Sequence, residues 1–261
     1  MGHDVVSIAR ASVGGEGFPD EAFEHLADLE DGHFWFRTRA RLLVWALQTY
    51  FPRARSVLDV GCGTGAVLNA IGRARPGLRL VGVDASEAAL RIAAGRADAQ
   101  FVRADATCLP FKDEFDVAGS FDVLEHIDDD RAALLELAAA VRPGGGVIVT
   151  VPQHEWLWGP ADEYGRHRRR YTGSTIESRV QSAGLSIIRS TSWVSMLLPV
   201  VAISRARDRQ LGRDYDPMRE LQLSTRANRL LETVLTLEHA AIRSGVSLPF
   251  GASRLIVARR P

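Results

Sequence analysis

The stretch VLDVGCGTG, Val57 to Gly65, decides the reading of the whole chain. Four residues of a buried-strand type run into three glycines at alternate positions, and an alanine-rich helical pattern follows from Ala66. Glycines let the backbone turn tightly and let a ligand lie against the main chain, while the next helix offers unpaired N–H groups at its start. Gly61-x-Gly63-x-x-Ala66 also fits the dinucleotide-binding fingerprint, so the loop alone leaves the ligand open. Asp59 breaks the tie. A carboxylate at the strand end, two residues before the first glycine, would repel a pyrophosphate and suits a cationic group.

Outward from this loop, short apolar runs ending in Gly or Asp alternate with amphipathic alanine-rich stretches. This is the pattern of a doubly wound α/β sheet. Strands are expected at 56–60, 79–83, 100–102, 115–120 and 146–151. Ser86 should cap a helix running to about Arg96, and Asp128 to Asp130 place negative charge at the start of another that ends near Arg142. Ser174 and Glu177 form a capping-box pattern, a strand is expected at 185–191, and Arg254 to Ala258 supply the last one. Before the sheet, Phe23, Leu26 and Leu29 mark one helix and Thr38 to Tyr50 a second, whereas residues 1–20 are polar, glycine-rich and expected to be loose. Between the last two strands lies a helix-length apolar pattern from Arg219 to Arg243. The expected organisation is an N-terminal helical cap (1–55), a Rossmann-like core (56–192), a helical insertion over the acceptor (193–250) and the last core strand (251–261), making a mostly parallel seven-stranded sheet.

Composition excludes several classes. The 261 residues are 46% hydrophobic and 25% charged, with 32 cations balanced by 32 anions, so the basic excess of a nucleic-acid binder is missing. Two cysteines, Cys62 and Cys108, in a chain long enough for a large core do not form a disulfide scaffold. No apolar leader opens the sequence, and the longest apolar stretch, Val194 to Ile203, is about half a membrane span, so a cytoplasmic protein without stable membrane insertion is expected. The apolar groups of 193–250 have three places to be buried: over the active site, against a second subunit as a homodimer, or at a membrane surface.

VLDVGCGTG resembles the first motif of class I S-adenosylmethionine-dependent methyltransferases, and four further segments match that family in order over about residues 56–152. They are VGVDAS, RADATCLPF, FDVAGSFDVLEHIDD and RPGGGVIVTVP. The resemblance implies S-adenosylmethionine as cofactor, with Asp59 by its amino group, Gly61, Cys62, Gly63 and Gly65 in the loop, and Asp84 and Ala85 at the ribose. Asp105 and Ala106 would read the adenine, and Phe121 and Asp122, at the end of the fourth matched strand, would also bind the cofactor. Cys62 occupies a position that needs a small residue, and no second ligand stands at metal spacing from it.

Chemistry should then lie at the carboxyl ends of the fourth and fifth matched strands. Segments similar to Asp122-x-x-Glu125-His126 bind a divalent metal in some quinone-pathway and RNA-end methyltransferases, and the Leu-Glu-His variant is widespread in metal-free ones; no metal is expected here. His126 is a candidate base, as are His154 and His167 in PQHEWLWGPADEYGRHRRRYT. That segment and HFWFRTR resemble a bacterial small-molecule subgroup associated with glycan, lipid or secondary-metabolite pathways. Trp35, Trp156, Trp158, Tyr164 and Tyr171 would wall an acceptor pocket, Arg168 would fork onto an anionic acceptor, and Phe36 and Arg37 would meet the cofactor, with Arg37 on its carboxylate. The expected activity is methyl transfer to O, N or C of a small molecule. Its rivals are a silent cofactor-binding partner subunit and an RNA or protein methyltransferase.

Overall fold

In the computed structural model, which describes residues 5–7, 18–211 and 222–261, the chain winds around one eight-stranded sheet. The strands are β1 (Val5–Ser7), β2 (Ser56–Val60), β3 (Arg79–Asp84), β4 (Gln100–Arg103), β5 (Phe115–Phe121), β6 (Val141–Pro152), β7 (Ser186–Trp193) and β8 (Ser253–Arg259). Their order is β1-β4-β3-β2-β5-β6-β8-β7, with β8 antiparallel to both neighbours and every other pair parallel. Seven of these strands are those the sequence implies. The eighth, β1, pairs with the outer edge of β4 inside a stretch expected to be loose. At three residues, Val-Val-Ser, the strand is too short for a period to mark it within a stretch that is otherwise polar and glycine-rich.

The chain leaves β2 toward β3 and β4, then crosses back to lay β5 on the other side of β2. That reversal opens a crevice at the carboxyl ends of β2 and β5, where α/β sheets take ligands. β2 is buried along its whole length, as expected for a strand covered on both faces. One face is covered by α2 (Phe34–Tyr50) and α3 (Ala66–Ala74), the other by α5 (Asp130–Ala140) and α7 (Gly173–Ser182). Among the described residues the remaining helices are α1 (Ala22–Glu30), α4 (Glu87–Arg96), the short α6 (Pro160–Tyr164), α8 (Leu198–Leu211) and α9 (Thr225–Arg243).

Three local differences from the sequence reading have physical causes. α2 starts at Phe34 rather than Thr38, because the His33 side chain accepts the Trp35 N–H and carries the aromatic run into the helix. α7 is capped by Thr172, which accepts the Thr175 N–H at 3.1 Å; the expected box partner Glu177 instead holds Arg254 and Ser190. The 219–243 helix begins at Thr225, capped by Ser224, and 219–221 lie outside the described residues. Among the described residues no helix is long and apolar enough to cross a membrane.

Candidate functional site

The glycine loop is shaped by contacts that leave little choice of residue. Gly61 has φ +78°, and a Cβ there would lie 2.3 Å from a Val123 methyl carbon. Gly61 and Cys62 donate their N–H groups to the Val83 carbonyl at 2.8 and 2.9 Å, tying the loop to the end of β3. Gly63 donates to Asp84 Oδ2 at 2.8 Å and Ser86 to Asp84 Oδ1 at 2.9 Å, so one carboxylate organises both the loop and the start of α4. From below, Glu30 of α1 accepts the Thr64 hydroxyl and pairs with Arg96.

These elements bound a cleft of about 1430 Å³ over the carboxyl ends of β2, β3, β4 and β5. Asp59, Gly61, Cys62, Gly63, Asp84, Ala85, Asp105, Ala106, Phe121 and Asp122 all line it, as does Phe36. Gly65 stands behind the loop at the N-cap of α3, with φ +76°, where a Cβ would lie 3.0 Å from that of Ala93. Asp59 is only 2% exposed, and its Oδ1 has no hydrogen-bond partner. Burial lifts its pKa to about 7, against the opposing pull of the Arg39 guanidinium and with a further push from Asp84. Burial also raises Asp84, although its backbone donors pull the other way. The Cys62 thiol is pushed up by burial and by Asp84 and Asp59, which keeps it inert.

Arg37 turns away from the cleft toward Glu232 at 3.3 Å, with its side chain half exposed. Arg39 takes the inner place: its Nη1 lies 2.7 Å from Asp122 Oδ2, and its guanidinium carbon sits 4.5 Å from the Trp35 ring centroid. The phase of α2 explains the exchange, since Trp35 and Arg39 are four apart on one helix face whereas Arg37 lies two residues from each.

The acceptor side divides the other expected residues. His126, Tyr164 and His167 line the cleft with Trp35, Glu125 and Arg170. His154 does not: it adopts a backbone φ of +64°, and its ring stacks with Trp156 and Phe250 instead. Trp156 is 52% exposed and Trp158 half-buried, both outside the cleft. Tyr171 is buried in the core and donates its hydroxyl to Asp130 at 2.6 Å, which occupies it structurally. Arg168 pairs with Asp128 at 3.1 Å on the surface. Phe18, Glu30, Arg39 and Leu231 line the cleft although nothing in their sequence pattern singles them out.

Glu125, His126 and His167 bring N and O atoms within 4.8 Å of one another, a grouping that Asp122 does not join because Arg39 holds it. Burial, reinforced by the neighbouring His167, lowers His126 to about 3, so its ring is neutral. Burial and Asp122 push Glu125 well up, and its Oε2 is unpartnered.

Comparisons with known proteins follow the same lines. Residues 23–190 match the model of a family described as a methyltransferase domain. The chain is 32% identical over 152 residues to the ubiquinone biosynthesis O-methyltransferase of Maricaulis maris, covering 50% of this chain and 59% of that protein. It is 36% identical over 104 residues to the tRNA (carboxymethyluridine(34)-5-O)-methyltransferase of Arabidopsis thaliana, covering 38% and 24%. The chain thus spans less than two thirds of either relative. The structure of Haemonchus contortus phosphoethanolamine N-methyltransferase 2 with S-adenosyl-L-methionine superposes with a TM-score of 0.61 at 18% identity, over 93% of this chain and 57% of that one, a likeness of fold.

Proposed function

The chain belongs to the class I S-adenosylmethionine-dependent methyltransferases, and from that premise we propose that it methylates a small-molecule acceptor with an apolar body. The observation that carries the cofactor assignment is the unpartnered, buried Asp59 oxygen on the wall of the cleft. A cation is what such a group lacks, and the ammonium of the cofactor's methionine part supplies one. Asp84 would accept the ribose hydroxyls, Asp105 and Ala106 would meet the adenine, and Arg39 would take the α-carboxylate in place of Arg37. When bound, the cofactor's sulfonium supplies an activated methyl group, so the protein's own work is to hold the acceptor in line and keep water out.

Apolar side chains support the acceptor reading. Phe18, Trp35, Leu197, Val201 and Leu231 line the cleft, Leu197 from just before α8, Val201 from within it and Leu231 from α9. The segment 193–250 therefore serves as the acceptor's wall. The O-methyltransferase relative favours oxygen as the methyl acceptor, and the balanced charge of the chain argues against RNA.

Calorimetry with S-adenosylmethionine, S-adenosylhomocysteine and NAD tests the proposal: the first two should bind and the third should not. Asp84→Ala should weaken cofactor binding by about 1–3 kcal/mol, because ribose hydroxyls would be left unpaired and the Gly63 and Ser86 N–H groups would lose their acceptor. Unchanged affinity in that variant would remove Asp84 from the site.

A further inference from the structure

His167 is held by a buried carboxylate beside the cleft. Its Nδ1 lies 2.8 Å from Asp162 Oδ1, and Asp162 is 1% exposed. Asp162 is fixed in turn by the Gly159 N–H at 2.9 Å and by Arg170 Nε at 2.8 Å. Burial alone would raise this carboxyl, but the His167 hydrogen bond and the Arg170 charge outweigh it and hold Asp162 at about 2. It is therefore an anion throughout the physiological range, and a carboxylate facing Nδ1 fixes the imidazole in its Nδ1–H form. In the neutral ring the lone pair is then on Nε2, and that ring lines the cleft.

Beside it, the His126 ring meets the His167 ring edge-on at 4.6 Å between centroids and turns toward the Gly165 backbone, leaving a buried Nδ1 without a partner. The His126 and His167 rings thus share one corner of the cleft with Glu125, one N or O atom of each lying within 4.8 Å of the others. Acceptor atoms in a partly dry cleft ask for donors, and an amine cation would meet Arg39 and Arg170 in the same cleft.

We propose that His167, oriented by Asp162, is the general base of the reaction and that the methylated group is a hydroxyl, with His126 Nδ1 accepting a hydrogen bond from the same or a neighbouring hydroxyl. The inference rests on the methyltransferase reading above. As the acceptor oxygen forms its bond to the methyl carbon, the carbon–sulfur bond breaks with its electron pair kept by sulfur. The O–H proton moves to His167 Nε2, and the imidazolium so formed is stabilised by Asp162. His167 touches the acceptor and is catalytic; Asp162 acts through His167 and is a positioning residue. The charged and titratable groups around the ring are Asp162, Glu125 and His126, with Arg168 and Arg170 behind them.

The test uses the full chain with 4-nonylcatechol and 4-nonylaniline as probes, and three measurements. Methyl transfer from labelled S-adenosylmethionine should occur on the catechol. Its rate should fall on the order of 10² to 10⁴-fold in His167→Gln, with S-adenosylhomocysteine affinity unchanged. In that variant turnover should recover as pH approaches the catechol's own ionisation, which a structural histidine would not produce. Imidazole ¹⁵N spectra should show His167 as the Nδ1–H tautomer in the wild type and a mixture of tautomers in Asp162→Asn. Methylation of the aniline alone, or of neither probe by a chain that binds cofactor, overturns the hydroxyl assignment. Full turnover in His167→Gln overturns the base. Turnover lost on EDTA dialysis and restored by zinc or magnesium gives the Glu125–His126–His167 corner to a cation instead. Failure to bind S-adenosylhomocysteine at all strikes the underlying reading and not this step.

Discussion

S-adenosylhomocysteine should bind more tightly as pH rises toward about 7, by up to tenfold per pH unit, and then level off. The cause is Asp59, whose carboxyl titrates at about 7 in the ligand-free protein because burial opposes its charge. Only the ionised form pairs with the ligand's ammonium, so at pH 5 most molecules must first lose a proton. Affinity there should be roughly 100-fold below the plateau, at about 1.4 kcal/mol per unit. Asp59→Asn keeps the shape and removes the charge. Breaking a buried ion pair leaves the remaining charge uncompensated and costs about 3–5 kcal/mol, so the variant should bind at least 10²-fold more weakly and with a flat pH profile. Calorimetry from pH 5 to 8 on both proteins reads this directly. A wild-type profile already flat at pH 5 would mean that Asp59 is ionised in the empty cleft and that the Arg39 charge outweighs its burial.

The same group has a stability signature of opposite direction. Its folded value of about 7 stands above the ordinary 3.8, so between those values the native state binds more protons than the unfolded chain. Asp59's contribution is complete below about pH 4 and is lost as pH rises through 7, a change on the order of 4 kcal/mol. Bound ligand reverses the slope by supplying the missing cation. The ligand-induced rise in melting temperature should therefore be larger at pH 8 than at pH 5.

What was legible in advance follows the range of the forces involved. The loop from Val57 to Gly65 speaks for itself because its glycines answer local demands: Gly61 has a positive φ and no room for a Cβ. The seven core strands follow from the alternation of apolar runs and amphipathic helices, with only the three-residue β1 hidden. Arg37 and Arg39 could not be separated until the start of α2 was known, because four residues of helix phase decide which one faces Asp122. His154 and Tyr171 sit in a segment rich in chemistry, yet the first stacks with Trp156 and Phe250 outside the cleft and one hydrogen bond to Asp130 takes the second into the core. The His167–Asp162 pair is five residues apart in a short helix and the turn after it, a separation that no periodicity marks.

The segment between β7 and β8 should separate into two parts with different consequences, although its sequence reads as one detachable cap. α9 is integral to the core. Leu235 is fully buried and Ile242 1% exposed, and both join the cluster that contains Trp193 and the apolar face of α2. Glu238, also fully buried, accepts the Met196 N–H at 2.7 Å, with the N–H groups of Ser195 and Val194 facing the same carboxylate. Val194 adopts a φ of +59°, a conformation that costs a β-branched residue energy and persists only where its surroundings impose it. Leu235→Ala should thus lose about 2–5 kcal/mol. Glu238→Ala should lose about 1–3 kcal/mol by stranding buried donors. Melting temperatures should fall by roughly 5 to 15 °C for the first, and replacing 194–250 by a short turn should unfold the protein rather than uncover its cleft. α8 differs, because Val200 lines the cleft yet is 53% exposed. Val200→Asp should change stability by no more than about 0.5 kcal/mol, leave S-adenosylhomocysteine affinity intact, and lower binding of 4-nonylcatechol by placing a charge on an apolar wall. Thermal denaturation and calorimetry on the three variants separate the roles. If Leu235→Ala melts with the wild type while Val200→Asp does not, the assignment of core and wall is reversed, and α9 is the movable part.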